Sequence, residues 1–296
     1  MRLCYLSFLV ALLVLLPRSS GAEETYSCSP TPNVLPSQDV DFGRCLFNSL
    51  TAFGQDTNGP FAACSRCHYG SEKSDEGVHL VRVANRSGKT TDVLRKTPSL
   101  LKAAHNAPFG ADGRFATVQD AAKAAILSPV EMRGKSVTPD QLDALAAFVL
   151  GLPDSDPEST ANFVQPPEPD PATLTLIATG RSVFFGKGLC STCHAGADLS
   201  NHKITTNQVH LTFSAKTDAG GGFVGTGAAQ TFKVPSLFYL FSDPPMHNGG
   251  LTTVAQIVFF YNESLALGLT YPELSGLAFW LHNCLDPRRT AMPSTC

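Results

Sequence analysis

The first pattern along the chain is an apolar run. Leu3 to Leu16 follows Arg2 and leads into Pro17 and then Ser20-Gly21-Ala22. A basic start, a short apolar stretch and small residues mark a secretory signal. The run is 14 residues long, too short to span a bilayer comfortably. Residues 1–22 are therefore expected to be cleaved. Beyond them the pattern is helical wherever it is regular. Thr138 to Leu150 is an apolar helix with Thr138 placed to cap it and Pro139 at its first position. Tyr271 to Leu281 is a second. Thr117 and Thr253 are placed as N-caps of two shorter amphipathic helices, the latter running through Phe259 and Phe260. No stretch alternates strongly enough to predict a sheet. Residues 153–171, rich in Pro, Asp, Glu and Ser, read as a linker. No later stretch is apolar enough to span a membrane.

The elements occur twice in the same order. Gly43-Arg44-Cys45-Leu46-Phe47 leads to Cys64-x-x-Cys67-His68, and Gly180-Arg181-Ser182-Val183-Phe184 leads to Cys190-x-x-Cys193-His194. Each copy then reaches Pro-Ser-Leu, at Pro98 and at Pro235. Each goes on to a turn, Asp112-Gly113-Arg114 or His247-Asn248-Gly249, and a capping threonine four residues after the glycine. Each ends on one of the two apolar helices. The expected fold is mostly α: two cytochrome c-like domains, residues 23–152 and 172–296, related by duplication and rich in loops.

Two thiols at a fixed separation followed by a histidine suit covalent haem. The thiols form thioethers with the vinyl groups, and the histidine meets the iron. Two covalently attached haem c groups are expected, through Cys64 and Cys67 with His68, and through Cys190 and Cys193 with His194. A zinc or redox Cys-x-x-Cys does not need the adjacent histidine, least of all twice. Cys4 leaves with the signal, and Cys28, Cys45, Cys284 and Cys296 remain. An even number in an exported protein points to two disulfides. Three pairings are open, and nearness in sequence favours Cys28–Cys45 with Cys284–Cys296. Loss of residues 1–22 removes Arg2 and Arg18, leaving 20 Lys and Arg against 25 Asp and Glu, a net charge of −5. That balance argues against a nucleic-acid partner.

The chain resembles the bacterial di-haem cytochrome c peroxidase and MauG superfamily. The second half carries Phe232-Lys233-Val234-Pro235-Ser236-Leu237, Pro244-Pro245-Met246-His247-Asn248-Gly249-Gly250 and Phe259-Phe260-Tyr261-Asn262. The first half carries Thr97-Pro98-Ser99-Leu100, Asp112-Gly113-Arg114 and Pro129-Val130-Glu131-Met132. The resemblance implies a periplasmic enzyme whose N-terminal haem meets hydrogen peroxide, with Glu131 over its distal face moving protons. In the peroxidase branch a methionine ligates the second iron, fourteen residues after the motif histidine. From His247 that count arrives at Tyr261, which resembles the MauG branch with its His/Tyr-ligated haem. Met246 is the rival ligand.

The sequence also departs from the family. Ala111 stands where an inter-haem tryptophan is usual, Ala121 and Ala125 replace a distal Gln and Pro, and Phe238 replaces an arginine. Lys96 replaces an asparagine at the inter-haem calcium site, so calcium is not expected. His79, placed in the loop after the first motif, is a candidate gate for the first iron. The implied function is a MauG-like oxidoreductase that uses peroxide to oxidise a second substrate, a protein side chain or a small-molecule donor. The alternatives are a peroxidase that removes hydrogen peroxide and a non-enzymatic di-haem electron carrier.

Overall fold

A computed structural model describes residues 27–56, 62–69, 77–84, 90–153, 169–205, 232–238, 240, 246, 249–285 and 296. The expected signal, most of the linker, and the Pro244-Pro245 and His247-Asn248 pairs lie outside them. Among the described residues six helices carry the fold: α1 (Val40–Asn48), α2 (Val118–Leu127), α3 (Pro139–Leu150), α4 (Pro171–Phe185), α5 (Val254–Ser264) and α6 (Tyr271–Cys284).

Helix starts are set by short polar side chains that satisfy orphan backbone N–H groups. Asp39 accepts from Phe42 N–H at 2.9 Å and opens α1. Asp170 accepts from Thr173 N–H at 2.7 Å and opens α4. Thr117 caps α2, and Thr138 and Thr253 each form a capping box, with Gln141 and Gln256 respectively. Pro139, Pro171 and Pro272 sit in first turns, where the missing N–H costs nothing.

These helices bury two separate apolar clusters. One gathers Phe42, Leu46, Phe47, Phe53, Ile126, Met132, Leu145 and Val149. The other gathers Ile177, Val183, Phe184, Val258, Leu277, Trp280 and Leu281. Helix α1 crosses α3, and α4 crosses α6, by the same device. A Cβ on Gly43 would run into the Ala144 carbonyl and the Phe148 side chain; one on Gly180 would run into the Gly276 carbonyl and Trp280. The duplication seen in the sequence is thus repeated in the packing.

The structure adds a β ribbon that the pattern does not predict. Strands β1 (Val78–Ala84) and β2 (Thr90–Lys96) pair antiparallel, Val78 opposite Lys96 and Arg82 opposite Asp92. His79 is therefore a strand residue, half-buried and opposite Arg95, rather than a loop residue. The ribbon hides because both faces carry apolar side chains. Val93 is buried on one face, whereas Leu80 and Leu94 are exposed on the other, so no clean alternation survives. Two short strands, β3 (Ile204–Thr205) and β4 (Phe232–Lys233), also pair antiparallel. Disulfides join Cys28 to Cys45 and Cys284 to Cys296, the pairing favoured by sequence proximity.

Candidate functional site

Both Cys-x-x-Cys-His motifs form one tight helical turn, Cys64–Arg66 and Cys190–Thr192. The two turns match bond for bond. Cys67 N–H donates to the Cys64 carbonyl at 3.2 Å and His68 N–H to the same oxygen at 2.9 Å. Cys193 and His194 repeat this on the Cys190 carbonyl at 3.2 and 2.9 Å. The turn holds two thiols and an imidazole in one fixed relation, as attachment to one planar group requires.

The four motif cysteines are in no disulfide, whereas Cys28, Cys45, Cys284 and Cys296 are bonded in pairs. Burial pushes the Cys64 thiol up to about 12 and the Cys190 thiol up to about 11. Among the described residues, no three His, Cys, Asp or Glu side chains are arranged to hold a bare metal ion. Around the first turn, Met132 sulfur lies 3.8 Å from Cys64 Sγ, and the Phe47 ring lies 6.5 Å from the His68 ring. These apolar neighbours fit a haem.

The His194 ring is held by backbone carbonyls. Its Nδ1 lies 3.1 Å from the Leu199 carbonyl, and the Pro235 carbonyl also meets the ring. Burial lowers its pKa, which favours the neutral imidazole, the form that binds a metal. Tyr261 lies on α5. Burial, and then the Cys193 and Cys190 thiols, raise its pKa. The tyrosine therefore shares its surroundings with the second motif. Met246, the rival, sits in a left-handed turn at φ 74°, closed by Gly249 N–H on its carbonyl at 3.2 Å.

Glu131 lies just after α2, beside Met132. Burial raises its pKa, partly offset by the Ser128 hydroxyl, the Arg114 charge and the Arg82 backbone N–H. The sequence gives no sign of the last contact, because it comes from the unpredicted ribbon. Arg114 is itself aimed. Its Nη1 lies 3.0 Å from Asp112 Oδ2, and Asp112 is only 2% exposed. The Asp-Gly-Arg motif thus sets a fixed positive charge near Glu131. Gly113 stands at φ 66°, the left-handed turn that lets the two side chains meet.

The profile of the di-haem cytochrome c peroxidase family matches residues 37–167, which take in the first motif, Asp112-Gly113-Arg114 and Glu131. The match takes in less than half of the chain, and over those residues the chain is similar to the di-haem cytochrome c peroxidase family. A curated cytochrome-c peroxidase of Denitromonas iodatirespirans is 32% identical over 128 aligned residues. That alignment spans 33% of this chain and 35% of the relative, about a third of its length. Among solved structures, a MauG-like protein associated with microbial copper homeostasis gives a TM-score of 0.55 at 19% identity, with 88% of this chain and 94% of that one covered. Hydrazine synthase of Kuenenia stuttgartiensis gives 0.56 at 16% identity, covering 95% of this chain and 99% of that one. A diheme peroxidase variant from Burkholderia thailandensis gives 0.52 at 15%, covering 90% of each. At these identities the likenesses establish the fold. The superfamily's di-haem character agrees with two equivalent motif turns in one chain.

Proposed function

We propose that this chain is an exported, MauG-like di-haem oxidoreductase that uses hydrogen peroxide to oxidise a second molecule. The observation that carries the reading is Glu131, a carboxyl raised by burial yet held by Ser128, Arg82 N–H and the charge of Arg114. A surface glutamate has no need of such an environment; a proton shuttle does.

Cys64 and Cys67 would attach the first haem and Cys190 and Cys193 the second, with His68 and His194 as proximal ligands. Haem iron supplies the capacity to exchange electrons with peroxide. The chain's own work is proton handling. Glu131 takes a proton from the bound peroxide and returns it to the departing oxygen, which leaves as water. Reduction of one peroxide to two waters consumes two protons and two electrons, and the electrons come from the second molecule. Arg114 keeps positive charge beside the carboxylate while its proton is away.

The proximity of Tyr261 to the second motif supports the MauG-like branch over plain peroxide removal. A phenolate is a hard anionic donor that favours oxidised iron, and its binding would release the phenolic proton that burial retains. Export to the periplasm is supported by the apolar Leu3–Leu16 stretch and by two disulfides, which persist in oxidising compartments.

Glu131→Gln tests the reading. The amide keeps shape and hydrogen bonds but cannot shuttle a proton. Both haems should remain, by intact mass, while the stopped-flow rate with peroxide falls by roughly 10²–10⁴-fold. An unchanged rate would return Glu131 to a structural role.

A further inference from the structure

Lys233 is a buried ammonium that the proposed chemistry does not use. Only 8% of the residue is exposed. Its Nζ donates to the Asn106 carbonyl at 2.7 Å and to Asn106 Oδ1 at 2.7 Å. Its backbone N–H donates to the Ala111 carbonyl at 2.9 Å. Asn106 and Ala111 belong to the first copy of the repeat and Lys233 to the second, so three hydrogen bonds cross the seam at one residue. Neighbouring contacts cross it too. The Arg95 guanidinium lies 5.9 Å from the Phe232 ring centre, and Lys102 Nζ lies 3.7 Å from that of Phe238.

The segment pinned in this way leads straight to the second motif. One residue on, Val234 accepts from Ser200 Oγ at 2.6 Å. Two residues on, the Pro235 carbonyl meets the His194 ring. On the opposite side, Ala111 precedes Asp112, which aims Arg114 near Glu131. Lys233 therefore stands where a short run of backbone joins the surroundings of His194 to those of Glu131.

We propose that Lys233 is a positioning residue for the second haem: its ammonium, anchored on Asn106 across the seam, fixes the segment whose Val234 carbonyl holds Ser200, the neighbour of Leu199, whose own carbonyl lies 3.1 Å from His194 Nδ1. The carbonyl that accepts from a ligating histidine sets the ring's orientation and its donor strength, and so tunes the metal. A chain tied at Asn106 holds that carbonyl in place. Burial with no carboxylate partner among the described residues is costly, and burial draws the lysine pKa down to about 8. Spending stability on a buried cation makes sense where its role is geometry. The proposal rests on the reading of His194 as an iron ligand.

The test uses the full chain with both haems bound. Lys233→Met should keep two haems by mass but shift the reduction potential and the electron paramagnetic resonance g values of the second haem. Lys233→Arg, which keeps a cation with donors at the seam, should shift them less. Asn106→Ala removes one of the two acceptors and should give a smaller shift in the same direction. In the double variant the two shifts should not add, since both act through one contact. A Lys233→Met protein with two haems and unchanged potential and g values overturns the proposal. If Lys233→Met does not fold, Asn106→Ala decides alone, a shift supporting and no shift overturning. A role confined to stability would lower the melting temperature and leave the potential unmoved. Failure of the underlying reading looks different: His194→Ala would then keep the wild-type spectrum of the second haem.

Discussion

Glu131 and Tyr261 are both held towards their neutral forms by burial, but they face different surroundings. Glu131 has three groups around it that favour the carboxylate, and burial still prevails. The sign of its effect on stability follows. A carboxyl with a raised folded-state pKa makes a relative contribution that is fully present below the unfolded pKa. That contribution is lost as pH rises through the folded pKa. At neutral pH the buried charge is a cost. Glu131→Gln removes it, so the variant should melt higher than the parent at pH 7, with the gap closing in acid. Thermal unfolding across pH checks this, and a gap that grows in acid contradicts it. Tyr261 has two thiols for neighbours, and they disfavour its anion further. Tyr261→His should still carry two haems, since Cys190, Cys193 and His194 are untouched. A neutral nitrogen in place of an anionic oxygen should raise the potential of the second haem. Spectroelectrochemical titration measures it, and an unchanged potential removes Tyr261 from the ligand set.

At the scale of elements, the helices were legible because their signals are local. Thr117, Thr138 and Thr253 cap as their positions predict, since a cap needs only a side chain and an N–H three residues on. The ribbon was illegible because its stabilising features are not local. Arg82 pairs with Asp92 through two bonds of 2.7 and 2.8 Å, and that partnership exists only once the strands are in register. Exposed Leu80 and Leu94 erase the alternation that marks a strand. The helix crossings show a third case. Gly180 is prominent in the repeat, but its reason appears only in packing, where α4 meets the Gly276 backbone. Gly180→Ala should destabilise by ~1–3 kcal/mol or more, the usual cost of overpacking. Loss of several degrees in melting temperature is expected, with haem attachment retained if the protein folds. A neutral result would mean that the two helices can slide apart freely.

For the whole molecule, the two disulfides close short loops at the two ends of the described fold. Cys28–Cys45 spans 17 residues and ties the segment before α1 onto that helix. A loop of that size is worth about 3 kcal/mol in the chain-entropy picture. Cys28→Ser with Cys45→Ser should lower the denaturation midpoint accordingly, with little change in the potential of either haem. A large change in potential would mean that the bond also shapes a haem site. Between the copies, contacts at Lys233, Arg95 and Lys102 join the two halves of the repeat. Ala111 offers its backbone carbonyl to Lys233 across the same seam.

The sequence by itself determined the duplication, the two Cys-x-x-Cys-His turns, the capped helices and the cysteines left over for disulfides. Each of these is written in spacings of a few residues, where covalent reach and one helical turn decide the outcome. It placed Glu131 and Tyr261 only through resemblance, because neither residue type nor spacing says what a side chain will face. The tertiary structure decided their surroundings: Arg82 N–H and Arg114 around Glu131, and the second motif's thiols beside Tyr261. It also decided the seam, where Lys233 meets Asn106 across 127 residues of chain. Burial and long-range hydrogen bonding depend on which distant segments come together, and the local pattern of a sequence does not carry that information.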